Sequence, residues 1–386
     1  MNTIGDQQLV KRLNRSVLLR LLRARPGLSR AGLASASGLT KSTVSLLVRE
    51  LLEDGWLAEA GAQAASGPGR PSTPLQISVR ARALIGVDIA VECVRVVCVS
   101  LQGEVLHADE KPLRSPQPQH VCTQTARLVA QASAVIAARG LQLAGVGVGL
   151  PGAFDDATGM LRFAPNLGWR NLDVLPMMER ALAAAGVRRV ALYMQNDADV
   201  AALGEYEFGG GEGEGPLIFV SCDVGVGAGI VLNDRLFIGS QGLAGEIGHT
   251  IMQVDGPPCS CGRRGCAEAF VGSRAVAGRG GLQRGGRMLG VLLQNLWTVF
   301  NPRTIVVGGK SCVGTPRLLQ IALDTLDGYA RLAGMPAPSV RPARHGLLAT
   351  AVGAAALVLH QDLRPMQRRA AVAAARTLAE RGSRGR

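Results

Sequence analysis

Residues 60–74, AGAQAASGPGRPSTP, divide the chain into two stretches whose apolar residues repeat with different periods. A run this rich in Gly, Pro, Ser and Ala has no apolar stripe and interrupts helix and strand alike, so it reads as a loop or linker. Upstream, apolar residues recur at helical spacing. From Leu75 onward, short apolar runs alternate with helical stretches, the pattern of stacked α/β layers. The 386 residues leave room for two or three domains at ~150 residues each. The expected division is a helical unit over 1–59, a β-ribbon and linker over 60–80, and an α/β body over 81–386. Hydrophobic residues make up 47% but aromatics only 3%, so the cores must be built from Ala, Val, Leu and Ile. Fifty glycines without a three-residue period exclude collagen; they point to tight turns or close backbone approach to a ligand.

Within the body, Ala83–Ile89, Val94–Ser100 and Glu104–Lys111 are expected as three successive strands with a turn at Gly103. Further strands are expected at Leu143–Leu150, Val190–Met194, Leu217–Asp223, Gly227–Leu232 and Thr304–Val307, and Asn233-Asp234 suits a hairpin turn. Helical patterns cover Val121–Arg139, Ala198–Phe208, Arg287–Phe300 and Leu347–His360. From Arg364 to Arg386, seven arginines accompany one acid, Glu380, which reads as a basic helix fraying into a tail.

In the N-terminal unit, Leu13, Val17, Leu18, Leu21 and Leu22 share one helical face, and Pro26-Gly27 ends that helix. Ser29 can cap a short second helix with Leu33 and Ala34 inward, and Gly38 suits a left-handed residue after it. Thr40 can cap a third helix, whose Val44, Leu47, Val48 and Leu51 form an i, i+3, i+4, i+7 stripe. Lys41, Ser42, Ser45 and Arg49 are left facing outward. A short helix, a glycine turn and a helix with small polar and basic outer residues make a helix-turn-helix, a reader of the DNA major groove. Trp56–Glu59 and Leu75–Val79 would be the strands of a wing, with Gly67–Ser72 at its tip and Arg70 reaching a minor groove or phosphate. The alternative is a purely structural helical cap.

Charge favours the DNA reader. The chain carries Lys+Arg 42 against Asp+Glu 29, a formal net charge of +13, which suits a polyanionic partner. Residues 1–80 alone hold eleven Lys/Arg and five Asp/Glu. The most apolar segment, Gly346–Leu359, is shorter than the ~20 residues of a membrane span, and MNTIGDQQLVKR has no apolar signal core. The expectation is therefore a cytoplasmic chain with no membrane partner.

Eight cysteines in such a chain read as reduced thiols or metal ligands. Cys259-Ser-Cys261-Gly-Arg-Arg-Gly-Cys266 gathers three thiols, and His249 lies ten positions before the first. Three thiolates and one imidazole complete a closed tetrahedral shell, so the expectation is one structural zinc held by His249, Cys259, Cys261 and Cys266. Gly262 and Gly265 permit the sharp turns that wrap an ion, and Arg263 and Arg264 offset its negative ligands. Cys93, Cys98, Cys122, Cys222 and Cys312 lack such spacing and suit a core.

Asn196-Asp197 follows a strand and opens a helix, so spacing alone makes it a helix cap. Its surroundings add to that. Leu150-Pro151-Gly152, Ala164-Pro165-Asn166-Leu167-Gly168-Trp169, Asn196-Asp197, Gly245-Glu246-Ile247-Gly248-His249, the CSCGRRGC loop with Ala267-Glu268, and Asn301-Pro302…Gly308-Gly309 occur in one order. This series closely resembles the ROK family of sugar kinases and sugar-responsive repressors over about 83–360, and the helix-turn-helix with its GRP-containing wing is similar to the repressor branch. The resemblance implies an α/β, actin-like (ribonuclease H-like), two-lobed body with a sugar between the lobes, preceded by an all-α winged helix-turn-helix domain. It implies that Asn166, Asn196, Asp197, Glu246, His249 and Glu268 hold the sugar hydroxyls. Asp197 would take the base position of the kinases, and His249 would serve sugar and zinc together.

Two stretches depart from the kinase pattern. Where kinases of the family carry Asp-x-Gly-Gly-Thr, this chain has Asp88-Ile89-Ala90-Val91-Glu92; where they carry a second loop near Gly-Thr-Gly, it has Asp223-Val224-Gly225. Glycines that let backbone amides approach phosphate are lost, and carboxylates are added. Ser273–Arg287 is also shorter than the family's usual helical insertion. The expectation is a sugar-responsive regulator, a homodimer or homotetramer on operator DNA, with no catalytic residue. The alternatives are a sugar kinase using Asp197 as general base, and an effector-blind DNA-binding or scaffold protein.

Overall fold

The computed structural model describes residues 7–60, 73–155, 158–209 and 215–364. The expected wing tip with Arg70 and the basic tail beyond Arg364 lie outside the described residues.

The chain opens with α1 (Gln7–Ala24), α2 (Arg30–Ser37) and α3 (Lys41–Glu53). The caps are the expected ones. Ser29 Oγ accepts from the Gly32 amide, Gly38 sits at φ 71° after α2, and Thr40 Oγ1 accepts from the Thr43 amide. Two antiparallel strands follow, β1 (Leu57–Glu59) and β2 (Leu75–Ile77). The buried face of α1 is wider than its sequence pattern: Ser16 and Leu19 join Leu18 and Leu22, while Leu13, Val17 and Leu21 are only half-buried. The cause is a second neighbour, since α1 packs on the body as well as on α2 and α3.

The first lobe contains β3 (Arg82–Ile89), β4 (Cys93–Ser100), β5 (Val105–Pro112), α4 (Pro118–Ala138) and β6 (Gln142–Leu150). A small antiparallel sheet, β7 (Ala153–Phe154), β8 (Leu161–Ala164) and β9 (Trp169–Leu172), precedes α5 (Val174–Ala184), β10 (Leu192–Asn196) and α6 (Asp197–Glu207). The second lobe holds β11 (Leu217–Cys222), β12 (Val226–Leu232), β13 (Arg235–Leu236), α7 (Glu268–Val271), α8 (Ser273–Ala277), α9 (Gly281–Phe300) and β14 (Thr304–Gly308). It ends with α10 (Lys310–Gly314), α11 (Pro316–Ala333), β15 (Ser339–Pro342) and α12 (Ala349–Leu363).

The two five-stranded sheets share one topology. Their orders are β10-β6-β3-β4-β5 and β13-β12-β11-β14-β15. In each, the first three strands form an antiparallel meander, and the last two lie parallel to the first on its other side. A repeated sheet of this kind is the two-lobed actin-like architecture. Helices α12 and α6 lie between the lobes: α12 packs on β3 and β6, α6 on β11 and β12, and the two helices on each other. The stretch Gly346–Leu363 has a mean hydropathy of 1.4, apolar and long enough to cross a membrane. Its position explains that composition, because residues 351–360 are all buried between the lobes.

The expected hairpin at Asn233-Asp234 is present, with both residues at positive φ between paired Leu232 and Arg235. Helix α9 begins at Gly281, six residues before the expected start at Arg287. Gly285 and Gly286 look like breakers in sequence, but the packing needs them small: a Cβ on Gly286 would lie 2.7 Å from Ile321 Cβ of α11, and one on Gly285 2.8 Å from the Phe270 carbonyl oxygen of α7.

Candidate functional site

A cleft of about 610 Å³ opens between the lobes, within the usual range for a small-molecule site. Asn166, Asn196, Asp197, Glu246, His249 and Glu268 all line it, although they come from four separate segments. Asn166 sits on a single 3-10 turn, Pro165–Leu167, held by the small antiparallel sheet. Asn196 caps α6: its Oδ1 accepts from the Ala198 and Asp199 amides at 2.8 and 3.1 Å, and its Nδ2 donates to the Gly152 carbonyl at 3.0 Å. Its oxygen is therefore spent on the helix, and only an amide hydrogen is left for a ligand.

Asp197 opens α6, where the helix N-terminus favours a negative charge. Its Oδ1 accepts from the Ala198 amide at 2.9 Å. Burial nevertheless pushes its pKa up to about 6, with nearby Asp223 adding to the rise and the Ala198 amide opposing it. Burial also lifts Glu246 to about 7, assisted by the charges of Asp197 and Glu268. Desolvated carboxylates around a polar cavity are strong acceptors for hydroxyl donors.

The four expected metal ligands converge. His249 Nδ1 lies 3.6 Å from Cys259 Sγ, Cys261 and Cys266 sulfurs are 3.8 Å apart, and all four ligand atoms fall within 4.8 Å of one another. A tetrahedron with ~2.3 Å metal–sulfur bonds has sulfur–sulfur edges of ~3.8 Å, so the donor set fits zinc. Gly262 and Gly265 take positive φ where the loop turns. The other His249 nitrogen, Nε2, faces Glu246 at 3.9 Å, so the ring spans the loop and the cleft. Glu268 does the same: Oε1 accepts from Ser260 Oγ at 2.6 Å and Oε2 from the Val226 amide at 3.2 Å. Ser260 also lines the cleft; its only sequence signal is a hydroxyl placed between two metal ligands.

The other half of the cleft is lined by residues engaged in internal ion pairs. Arg95 donates to Asp88 at 2.9 Å and to Glu110 at 2.6 Å. Lys310 Nζ donates to Glu92 at 2.7 Å, and the Lys310 amide donates to Asp223 at 2.6 Å. In sequence, Glu92 and Asp223 looked like bare carboxylates; the fold brings Lys310 to both.

On the N-terminal domain, Lys41, Ser42, Ser45 and Arg49 are all exposed on α3, and Arg49 lies 4.0 Å from Glu53. Leu46 joins that face at 46% exposure. Its i+4 spacing from Ser42 and i−3 spacing from Arg49 placed it there in sequence too, where it went unnoticed.

Residues 84–281 match the ROK family. The chain belongs to the ROK family. Residues 13–58 match a winged helix-turn-helix DNA-binding family, so this ROK chain carries a reader domain ahead of its body. It is 27% identical to the xylose repressor of Bacillus subtilis (strain 168) over 93% of this chain and 98% of that one. Its fold is similar to the crystal structure of a ROK family transcriptional regulator, a homologue of the Escherichia coli MLC protein, with a TM-score of 0.74, 21% identity and coverage of 93% and 98%. A ROK family glucokinase from Streptomyces griseus, solved with glucose and AMPPNP, aligns at a TM-score of 0.59 and 27% identity over 71% of this chain and 98% of that one.

Proposed function

We propose that the chain is a sugar-responsive, DNA-binding transcriptional repressor of carbohydrate genes, cytoplasmic and built on a body that has lost kinase chemistry. The observation that carries this is the unequal cleft. One half keeps six polar side chains facing one cavity, while the half that departs from the kinase pattern is lined by the Lys310–Glu92 and Arg95–Asp88 ion pairs. The match to a repressor along nearly the whole chain supports the same reading. Asn166, the free amide hydrogen of Asn196, Asp197, Glu246, His249 and Glu268 bind the hydroxyls. His249, Cys259, Cys261 and Cys266 hold one zinc, which fixes the loop that positions Ser260 and Glu268. Lys41, Ser42, Ser45 and Arg49 read the major groove, with Leu46 against a thymine methyl and Arg70 at the wing. One winged helix contacts few base pairs, so the working form is a dimer or tetramer on an inverted repeat, checked by the stoichiometry of the DNA complex.

The test is calorimetry with a panel of monosaccharides, followed by operator binding with and without each sugar that gives a heat. Sugars that bind yet leave operator affinity unchanged at fixed salt would make the protein effector-blind. A kinase reading has one observation in its favour, the buried Asp197 with a pKa near 6, suited to a general base. We expect no sugar-dependent ATP turnover; steady turnover that disappears in Asp197→Asn would reverse the assignment.

A further inference from the structure

Helices α6 and α12 run side by side from the cleft to the DNA-reading domain. Asp197 begins α6 and Glu207 ends it; Thr350 of α12 lines the cleft, and His360 lies in its last turn, with Arg364 capping its end. The two helices touch backbone to backbone. A Cβ on Gly353 would lie 2.0 Å from the Val200 carbonyl oxygen, and one on Gly204 would lie 2.8 Å from Gly353 Cα. Eleven helical residues span roughly 16 Å and cannot shorten without breaking hydrogen bonds. A displacement at the Asp197 end is thus delivered to Glu207.

Glu207 is fully buried, with two guanidinium groups and an imidazole around it. His360 Nδ1 and Arg364 Nη1 each lie 2.6 Å from its Oε1. Arg23, from α1 of the reader domain, donates to both Oε2 and the backbone carbonyl of Glu207. Arg364 also lies over the Tyr206 ring at 5.3 Å. The cluster has two unequal parts. Arg364 and His360 are 4% and 3% exposed and belong to the body; Arg23 is 16% exposed and belongs to the reader. If Arg23 leaves, Glu207 keeps compensating partners, so the contact can open without stranding a buried charge.

We propose that the Arg23–Glu207 ion pair is the joint through which cleft occupancy sets the placement of the DNA-reading domain, with α6 as the connecting rod and Arg23 as its positioning residue. This rests on the sugar-responsive reading above. An effector acts by binding one arrangement more tightly, and Arg23 seated on Glu207 defines one such arrangement.

The experiment compares wild type with Arg23→Ala and Arg23→Lys. Its probes are D-xylose, D-glucose and whichever further monosaccharide binds wild type, with a duplex selected by the wild-type chain from a random pool. For wild type, sugar should change duplex affinity about 5- to 150-fold, and duplex should change sugar affinity by the same factor. Arg23→Ala should bind sugar within about twofold of wild type, while its coupling ratio falls below about twofold. Arg23→Lys keeps the charge but not the forked geometry and should fall between them. An Arg23→Ala protein that binds duplex more weakly but keeps the full ratio would make the pair a structural contact and overturn the joint. Should that protein precipitate, the Arg23→Lys ratio decides: an undiminished ratio overturns the joint. A wild type without any sugar effect sinks the underlying functional reading instead, and the joint with it, before any variant is compared.

Discussion

Cys261→Ser protein is expected to lose its zinc, unfold more easily and respond poorly to sugar, all three together. Cys261 is the exposed ligand, so the substitution removes a thiolate without opening a cavity. Cys266 is fully buried, and changing it would confuse metal loss with packing loss. Structural metal sites contribute folding free energy directly, and in a loop braced by an otherwise folded lobe the loss should be ~3–5 kcal/mol. Sugar response suffers because the loop holds Ser260, whose hydroxyl donates to Glu268. Without the ion that hydrogen bond loses its anchor, and so does the tautomer of His249. Metal analysis on reduced, chelator-free protein should return about one zinc per chain for wild type and none for the variant. Zinc-free wild type with unchanged melting and unchanged sugar binding would remove the metal from the account.

The second large effect separates the two ends of the molecule. Asp197→Ala should abolish sugar response while sugar-free operator binding stays at the wild-type level. Hydrogen bonds to a charged acceptor contribute ~1.5–3 kcal/mol each, so losing one lowers sugar affinity by roughly 10- to 150-fold. The fold should not suffer. Asn196 still caps α6 through its own oxygen, and removing a desolvated carboxylate near Asp223 and Glu246 relieves repulsion, so the melting temperature should be equal or higher. Arg49→Ala should do the reverse. It is exposed and, among the described residues, pairs with Glu53 at 4.0 Å, so stability changes little, whereas a lost base or phosphate contact costs ~1–3 kcal/mol of operator affinity. Fluorescence anisotropy at one salt concentration, paired with calorimetry, measures both variants. Loss of sugar response in Arg49→Ala at operator concentrations that saturate it would contradict the division.

The readings that depended on neighbours in sequence survived in detail. Ser29, Gly38 and Thr40 cap and end helices because capping is a contact across three or four residues. The CSCGRRGC loop turns at Gly262 and Gly265 because its φ requirements are local, and Asn233-Asp234 closes a two-residue hairpin for the same reason. The β7–β9 sheet, α5, α11 and β15 were not read from sequence. Their strands are two to four residues long, too short for a period to emerge; α5 follows a strand through Asp173 alone, and α11 follows a Gly- and Pro-containing turn. The start of α9 was missed because the smallness of its glycines serves neighbouring elements, α11 for Gly286 and Gly290 and α7 for Gly285, rather than the backbone that carries them.

The family pattern named the cleft residues, but only tertiary structure decided how each is used. Asn196 spends its oxygen on α6, Glu268 ties the cysteine loop to the cavity, and Lys310 answers Glu92 and Asp223. Each of these depends on where segments far apart in the chain come to rest. The Arg23–Glu207 contact is the extreme case, 184 residues apart, between two groups that look in sequence like a basic helix end and an ordinary surface acid. Local dihedral preferences and hydrophobic period are written residue by residue, so sequence alone determined the capped reader helices, the metal loop and the alternation of strand and helix. Burial, and with it the pKa of Asp197 and the pairing of Glu207, arises only when two lobes and a reader domain exclude water together, so those were settled by the tertiary structure.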